Sequence, residues 1–232
     1  MNVQILHLLE GARQATGAAV IIDVFRAMSV EAHLVHQGAA RIYPVADAET
    51  AYAWKENNPD VILVGERNGV KLPGFDFGNS PTEFDGVDFT GRTVLHRTSA
   101  GTQGIENAIH ATEIFTGSLV NARATAEYLI KRGFSEISLV CMGWNATEPT
   151  AEDTLCAEYM QAVLEGRTMP IAKRITDLKR TSGAKFFDPA QQAVFPRGDF
   201  ARCTALDCFD FVLKVERDAE TGLHRTRKTE HE

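Results

Sequence analysis

Apolar residues are distributed along this chain in two alternating patterns. Short runs of mostly apolar residues, several of them nearly continuous as in AAVIID and VILVG, predict strands that are buried on both faces. Longer segments in which apolar residues recur every three or four positions predict helices. The predicted strands are 3–8, 18–24, 41–45, 61–65, 92–96, 113–116, 137–142 and the late run FDFVLKV, and the predicted helices are 29–37, 48–57, 102–110, 122–131 and 151–164.

This alternation predicts the fold class and the domain organisation. Four of the five predicted helices directly follow a strand, which indicates an α/β fold with a mostly parallel sheet flanked by helices. We interpret residues 1–217 as a single α/β domain in which 171–217, with weaker helical patterns, forms a smaller C-terminal lobe. The charged segment 218–232 is predicted to be a frayed tail.

The composition restricts the partners and the location of the protein. With 232 residues, a formal net charge of -7 and a pI near 5.5, the chain lacks the basic surface that nucleic acid or an anionic membrane requires. No window has the length and apolarity of a membrane helix, and the N-terminal residues show no secretory pattern. The four cysteines form no CxxC pair, which favours reduced thiols. We therefore expect a cytoplasmic homodimer that acts on a small molecule.

Polar residues follow several predicted strands at the point where the next helix begins. In the first such turn, Asp23 and Arg26 follow the strand AAVIID. An aspartate there could hold a cation, and a guanidinium offers paired hydrogen bonds to phosphate oxygens. The alternative is that Asp23 and Arg26 only pair with each other and cap the helix. Because the carboxyl ends of parallel strands share one edge of a sheet, we expect this turn to meet the other candidate turns.

Two further turns carry candidate residues. The second turn, RTSAGT, combines an arginine with small residues whose backbone amides can approach an oxyanion closely, but it also suits an ordinary helix N-terminus. The third turn follows ISLVCMG and ends in two acids, which could bind a metal ion or only complement the helix dipole. The candidates are Arg97, Thr98, Gly101 and Thr102 in the second turn, and Glu152 and Asp153 in the third.

A long segment without periodicity, residues 66–90, separates two predicted strands. Loops of this length inside a compact domain are usually functional or disordered, and the phenylalanines of this one favour order. The alternative is a solvated loop that is rich in turn residues. The density of charges of both signs favours a site, with the candidates Glu66, Arg67, Lys71, Asp76, Asn79 and Ser80.

Several established phosphate chemistries lack the motif that they require. The sequence has no GxxxxGK[ST] run for a Walker-type phosphate loop. It also has no cysteine followed six positions later by arginine, no DxDx[TV] run and no RHG run, which thiolate, aspartyl and histidine phosphatases need, respectively. A phosphatase of those kinds is therefore not indicated.

Four segments, taken in order, resemble the motifs of the 2-phosphosulfolactate phosphatase family. They are DVFRA at 23–27, GERNGVKLPGFDFGNSPTE at 65–83, RTSAGT at 97–102 and CMGWNATEPTAED at 141–153. The resemblance implies a fold peculiar to that family, a requirement for Mg²⁺, and hydrolysis of 2-phospho-3-sulfolactate to 3-sulfolactate and phosphate in coenzyme M biosynthesis. Departures from the family pattern at Met28, Ala100 and WNATEPTA leave a phosphatase of another phosphorylated carboxylate as an alternative.

The resemblance and the turns together give a hypothesis for the site, in which hard oxygen ligands hold Mg²⁺ and arginines hold the phosphoryl group. The assignments are Asp23, Glu66 and Asp153 for the metal; Arg26, Arg67 and Arg97, with the amides near Gly101 and Thr102, for the phosphoryl group; Lys71 for a second acid group; Asn79, Ser80 and Thr98 for further substrate contacts; and Asp76 or Glu152 for proton transfer. Both a metal-activated water and a covalent phosphoaspartate on Asp23 or Asp76 stay open. The alternative from another functional class is a non-catalytic protein that binds small anions.

Overall fold

The computed structural model describes residues 1–229 and shows a ten-stranded sheet covered by helices. The strands are β1 (Asn2–His7), β2 (Gly17–Ile22), β3 (Arg41–Val45), β4 (Ile62–Arg67), β5 (Val70–Lys71), β6 (Thr93–Arg97), β7 (Ala111–Gly117), β8 (Glu136–Cys141), β9 (Val212–Arg217) and β10 (His224–Thr229). The helices are α1 (Leu8–Gln14), α2 (Ala27–His36), α3 (Ala48–Asn57), α4 (Gly101–Asn107), α5 (Ala122–Lys131), α6 (Ala151–Leu164), α7 (Ala172–Asp177) and α8 (Arg197–Cys203). Within residues 1–229, no helix has the length and apolarity needed to cross a lipid bilayer. The predicted α/β class with a mostly parallel sheet is confirmed.

The sheet consists of two parallel halves joined by an antiparallel hairpin. Its strand order is β1-β8-β2-β7-β9-β10-β3-β6-β4-β5. The strands β1, β8, β2 and β7 run parallel in the first half, and β3, β6 and β4 run parallel in the second. The hairpin strands pair antiparallel with each other and with β7 and β3, so the two halves run in opposite directions. The expectation that all strand ends share one edge is therefore wrong, and the candidate loops meet through contacts between the two halves.

Helices cover both faces of the first half-sheet, as the contacts of its central strand β2 show. Val20 and Ile22 belong to a hydrophobic cluster with α5 and α6 on one face. Ile21 belongs to a cluster with α1 and α4 on the other face. Because helices cover both faces, the strand sequence is a continuous apolar run rather than an alternating one.

Helix α2 connects the two half-sheets. It begins just after β2 of the first half, but its residues Val30 and Leu34 pack against Ile42 and Val64 of the second half. Helix α3 covers the opposite face of that second half through Ala48 and other small or aromatic residues. The turn between β2 and α2 therefore lies at the junction of the two halves, where loops from both can reach it.

The C-terminal segment differs from the predicted frayed tail, because β10 lies in the middle of the sheet. On one side of this strand the buried Thr226 donates a hydrogen bond of 2.9 Å to Glu31. Its arginines pair with acids across the hairpin, as in the 3.1 Å contact between Arg227 and Glu216. Hydrogen bonds and ion pairs hold the strand HRTRKT, so it lacks the apolar pattern that sequence analysis detects. Residues 230–232 of the predicted tail lie outside the described residues.

A compact lobe of short helices precedes β9. It contains α7, α8 and single helical turns, and it packs on the first half-sheet through Phe186, Phe195 and Phe200. The lobe corresponds to the region that was predicted to contain weaker helices, and it contributes residues to the candidate site described next.

Candidate active site

A small open cleft lies where loops of both half-sheets meet the C-terminal lobe. Each of the four segments 23–27, 65–83, 97–102 and 141–153 contributes to it, which brings together the motifs found in the sequence. Its walls are formed by Asp23, Phe25, Arg26, Glu66, Gly69, Asn79, Ser99, Ala100, Gly143, Trp144, Asn145 and Phe195.

Asp23 joins the two half-sheets at the floor of this cleft. One carboxylate oxygen accepts a hydrogen bond of 3.2 Å from the amide of Ala27, at the start of α2. The other accepts a bond of 3.0 Å from the amide of Gly101, which follows β6 of the second half. A side chain at position 101 would meet the Met28 side chain at 2.4 Å, so glycine permits this close approach.

Asp153 lies behind the cleft and fixes the backbone of two of its loops. Its two oxygens accept hydrogen bonds of 2.8 Å each, from the amides of Val24 and Gly143. The side chain is 2% exposed and does not line the cleft. Asp153 therefore positions the loops that follow β2 and β8.

Glu66 has a similar set of amide donors on the opposite wall, but it also lines the cleft. Its oxygens accept hydrogen bonds from the amide of Ser99 at 2.7 Å, the amide of Gly69 at 2.6 Å and the Ser99 hydroxyl at 3.2 Å. Gly69 has a positive φ of 83°, and a side chain there would meet the Phe195 ring at 2.5 Å. Glycine is therefore required at this contact between the loop and the C-terminal lobe.

The acids near the cleft share an unfavourable electrostatic environment. Burial raises the pKa of Asp23 to about 6, and the charges of Glu66 and Glu152 add to that increase against the opposing amide of Ala27. Burial, followed by repulsion from Glu152 and Asp23, raises the pKa of Asp153 well above its usual range. Burial also raises the pKa of Glu152. The group of acids is stabilised by protons or by a nearby positive charge.

The raised pKa of Asp23 predicts a pH-dependent contribution to stability. The folded protein binds this proton more readily than the unfolded chain, so the contribution is complete below pH 3.8 and is lost as the pH rises through about 6. We expect the free energy of unfolding of the unsubstituted protein, relative to the Asp23→Asn variant, to fall by about 3 kcal/mol over this range. Urea denaturation of both proteins in chelator, at a series of pH values, measures the difference. A difference that stays flat or increases with pH contradicts the prediction.

Arg26 is bound by a residue that the sequence analysis missed. Its guanidinium forms a 2.8 Å ion pair with Asp199 of the C-terminal lobe, and both side chains are buried. The carbonyls of Val194 and Gly69 accept further hydrogen bonds at 2.8 and 3.0 Å. The alternative that Arg26 pairs with Asp23 is not observed, since the aspartate that it binds comes from 173 positions further along the chain. The other part of that alternative is observed, because Asp23 accepts a hydrogen bond from the first amide of α2.

Ser80 contacts this buried pair rather than the cleft. Its hydroxyl donates a hydrogen bond of 2.7 Å to Asp199, and the amide and hydroxyl of Thr82 donate to the same oxygen at 3.0 and 2.6 Å. The GNSPTE part of the long loop therefore anchors the C-terminal lobe to the main sheet.

Asn79 reaches the cleft at the end of a buried polar network. Its side-chain oxygen lies 3.1 Å from Nε2 of His96, and Nδ1 of His96 lies 3.1 Å from Glu31. Both His96 and Glu31 are fully buried. The network fixes the position of the Asn79 amide, one of the polar groups that face the cleft.

In the RTSAGT turn, the residues that line the cleft are not the ones predicted. Thr98 and Thr102 are buried and bond to each other's backbone, with a 3.2 Å bond from the Thr102 amide to the Thr98 hydroxyl. Arg97 donates a hydrogen bond to the carbonyl of Glu66. Ser99 and Ala100 line the cleft instead. The predicted residues of this turn thus hold the loop in place.

Three predicted site residues of the long loop lie away from the cleft. Arg67 and Lys71 are exposed on the hairpin of β4 and β5. Asp76 is also exposed, pairs with Lys55 at 3.2 Å and accepts a hydrogen bond from the amide of Leu63. The sequence shows that these residues are charged, but it does not show that their side chains face solvent rather than the cleft.

Two aromatic rings line the cleft on the side of the lobe, and a lysine lies against both of them. Trp144 and Phe195 line the cleft, and the ammonium of Lys185 lies 4.3 Å and 5.0 Å from the centres of their rings. Phe195 and Lys185 belong to a region that has no motif, so the sequence contained no signal that could have found them.

Two carboxylates of the cleft have the chemistry of ligands for a divalent cation. Among residues 1–229, no three histidine, cysteine or acidic side chains are arranged as a ready-made metal site. Asp23 and Glu66 nevertheless both line the cleft. Each Asp23 oxygen and Oε1 of Glu66 accept only one hydrogen bond, so each of these three oxygens retains a lone pair. Mg²⁺ is commonly held by one or two carboxylates, with water and substrate phosphate as the other ligands. This pair fits that mode of binding, whereas Asp153 lies behind the wall.

Fold and cleft together define an α/β enzyme with a small cleft whose charged lining residues are Asp23, Glu66 and Arg26. The chain belongs to the 2-phosphosulpholactate phosphatase family, whose sequence model matches residues 4–218. This membership confirms the resemblance that the four motifs indicated. It also confirms the predicted enzyme class, a phosphatase that hydrolyses a phosphate monoester.

Similar proteins occur in distantly related bacteria. The chain is 32% identical over 203 residues to a Bacillus subtilis protein, in an alignment that covers 87% of this chain and 88% of the relative. It is 41% identical over 169 residues to a Deinococcus radiodurans protein, covering 71% and 70% of the two chains. It is 39% identical over 165 residues to a Carboxydothermus hydrogenoformans protein, covering 71% and 68%. All three relatives are named probable 2-phosphosulfolactate phosphatase.

Proposed function

We propose that this protein hydrolyses the phosphate ester of a small 2-hydroxy acid, with 2-phospho-3-sulfolactate as its substrate and Mg²⁺ as its cofactor. The products would be 3-sulfolactate and phosphate. The observation that carries the proposal is the meeting of Asp23 and Glu66, from two separate motifs, in one small cleft. The name of the family and of the relatives supports this choice of substrate.

In this proposal, Asp23 and Glu66 hold the metal ion. When bound, Mg²⁺ supplies a Lewis acid that offsets negative charge on the phosphoryl oxygens. Asp153 keeps the amides of Val24 and Gly143 in place, so that the two loops beside the metal do not move apart. The amide bonds to both oxygens of Asp23 fix the direction in which its carboxylate faces the cleft.

Other residues of the chain orient the substrate and manage protons. Asn79 presents an amide that is fixed by His96, and Arg26 contributes positive charge to the wall although Asp199 holds its guanidinium. Glu152 is buried and does not line the cleft. Burial raises its pKa, so this carboxyl can keep a proton nearer to neutral pH and pass it through an intervening water to the departing alkoxide oxygen.

The proposal also includes a cytoplasmic homodimer that takes part in coenzyme M biosynthesis. The metabolic role follows from the family resemblance, and the dimer from the usual behaviour of compact enzymes. Light scattering on the purified protein measures the oligomeric state.

Phosphate release tests the proposed reaction. We expect the purified protein to release phosphate from 2-phospho-3-sulfolactate with Mg²⁺ and to lose this activity in chelator. 2-Phospholactate, which lacks the sulfonate, is the comparison substrate for the alternative of another phosphorylated carboxylate. A folded protein that binds phosphate or 3-sulfolactate in calorimetry, but releases no phosphate from either ester, would instead be the non-catalytic anion-binding protein.

A further inference from the structure

Lys185 is a largely buried lysine with an unusual environment beside the cleft. Its ammonium lies over the rings of Trp144 and Phe195, at 4.3 and 5.0 Å from their centres. Within the described chain, 1–229, no salt bridge or hydrogen bond engages this ammonium. Burial lowers its pKa, while the charge of Glu152 acts in the opposite direction. A cation without an ion-pair partner among residues 1–229 therefore lies against two rings that line the cleft.

The other positive side chains near the cleft already have partners or point elsewhere. Arg26 is paired with Asp199 at 2.8 Å, and Arg97 donates to the carbonyl of Glu66. Lys71, the residue predicted to bind a second acid group, is exposed and does not line the cleft. Lys185 does not line the cleft either, but its ammonium contacts two rings that do, which makes it the better placed candidate to bind an anion there.

The two aromatic rings explain how the ammonium of Lys185 can be held in position without an ion-pair partner. The faces of aromatic rings attract a cation without neutralising its charge. Trp144 and Phe195 therefore hold the ammonium in place and keep it available to an anion in the cleft that they line. The two carboxylates proposed for the metal, Asp23 and Glu66, lie in the same cleft, so one small molecule can contact both groups.

We propose that Lys185 binds the acid group of the substrate that is not transferred, a carboxylate or sulfonate carried by the same carbon skeleton as the phosphate ester. This inference rests on the proposed function, because it needs a substrate with two acidic ends. The phosphoryl end would lie at Asp23 and Glu66, and the second acid would lie at the wall of Trp144 and Phe195. Selection between phosphate esters would then depend on the C-terminal lobe.

Two esters that differ in one group provide the test. 2-Phospholactate carries a carboxylate beside the phosphorylated carbon, and propane-1,2-diol 2-phosphate has an uncharged hydroxymethyl group in its place. We expect Lys185→Met to raise KM for 2-phospholactate or 2-phospho-3-sulfolactate on the order of 10- to 100-fold, as for loss of a charged hydrogen bond. The diol phosphate should be hydrolysed as before, and Lys185→Arg should restore part of the loss.

The pattern across the substrates separates the two acid groups. A defect with both 2-phospholactate and 2-phospho-3-sulfolactate assigns the lysine to the carboxylate, and a defect with the sulfonated ester alone assigns it to the sulfonate. An equal loss with the diol phosphate overturns the proposal, because the lysine would then act on the phosphoryl group. Unchanged KM for all three esters also overturns it.

A matched variant controls for the loss of a lysine that stacks on aromatic rings. Lys179 is exposed and lies 5.7 Å from the rings of Phe187 and Phe200, away from the cleft. Lys179→Met should leave all KM values unchanged. Thermal unfolding of both methionine variants shows whether each is folded.

Calorimetric binding of 3-sulfolactate tests Lys185 without any turnover. We expect the unsubstituted protein to bind 3-sulfolactate and Lys185→Met to weaken that binding at least about 10-fold. This result supports the role of Lys185 even if no ester is hydrolysed. In that case only the proposed function fails. Equal binding by the two proteins, or no binding by either, overturns the role of Lys185.

Discussion

Replacing Asp23 by asparagine is expected to reduce metal-dependent phosphate release on the order of a hundredfold or more. Asparagine has nearly the same shape as aspartate but carries no charge. Its NH₂ group is a donor, and it must face one of the two backbone amides that donate to Asp23, those of Ala27 and Gly101. The variant therefore loses both attraction for Mg²⁺ and the fixed direction of the side chain. Initial rates at a series of Mg²⁺ concentrations measure the effect, and a higher Mg²⁺ requirement should accompany the loss.

The matched control for this variant is Asp76→Asn. Asp76 belongs to the same motif-rich region, but it lies outside the cleft, where it contacts Lys55 and the amide of Leu63. We expect this variant to keep its rate within about twofold, since a surface ion pair contributes little. Full turnover by a folded Asp23→Asn protein would remove Asp23 from both the metal site and the role of nucleophile.

Replacing Asp199 by alanine should destabilise the protein by about 3 to 5 kcal/mol. The substitution leaves the guanidinium of Arg26 buried without its counter-charge. It also removes the acceptor of hydrogen bonds from the Ser80 hydroxyl and from the amide and hydroxyl of Thr82. The free energy of unfolding, measured by urea denaturation, should fall accordingly, and the lobe should become more sensitive to protease.

Asp85→Ala provides the comparison for this stability effect. Asp85 also pairs with an arginine, Arg202, but its side chain is 60% exposed. Loss of such a pair is expected to cost less than about 1 kcal/mol. Similar costs for the two variants would show that burial of the Arg26–Asp199 pair does not determine its contribution.

The features that the sequence predicted share one property, which is that their signal is local. A continuous apolar run within the strand itself predicts strands such as β2. The helices α3, α5 and α6 have the predicted bounds because the periodicity of each lies within its own segment. The cleft was found for a similar reason, since its motifs are short segments that begin where strands end. Local patterns were sufficient to identify which loops line the cleft.

The features that the sequence missed depend on partners far along the chain. Asp199 is an ordinary aspartate in the sequence, and only the fold places it against Arg26, 173 positions away. The strand β10 has no apolar pattern because acids of β9 and the buried Glu31 supply its contacts. The exposed directions of Arg67 and Lys71 likewise follow from the twist and pairing of a two-stranded hairpin, which residue types alone do not specify.

The central position of the β9–β10 hairpin has a consequence for biosynthesis. The ribosome completes the eight strands of the two half-sheets before it makes residues 212–229, which occupy the gap between them. Until that hairpin arrives, β7 and β3 each present an unpaired edge that can recruit strands of neighbouring chains. Chaperone dependence and aggregation of the nascent protein should therefore be greatest late in translation, and should decline once the hairpin has emerged from the exit tunnel.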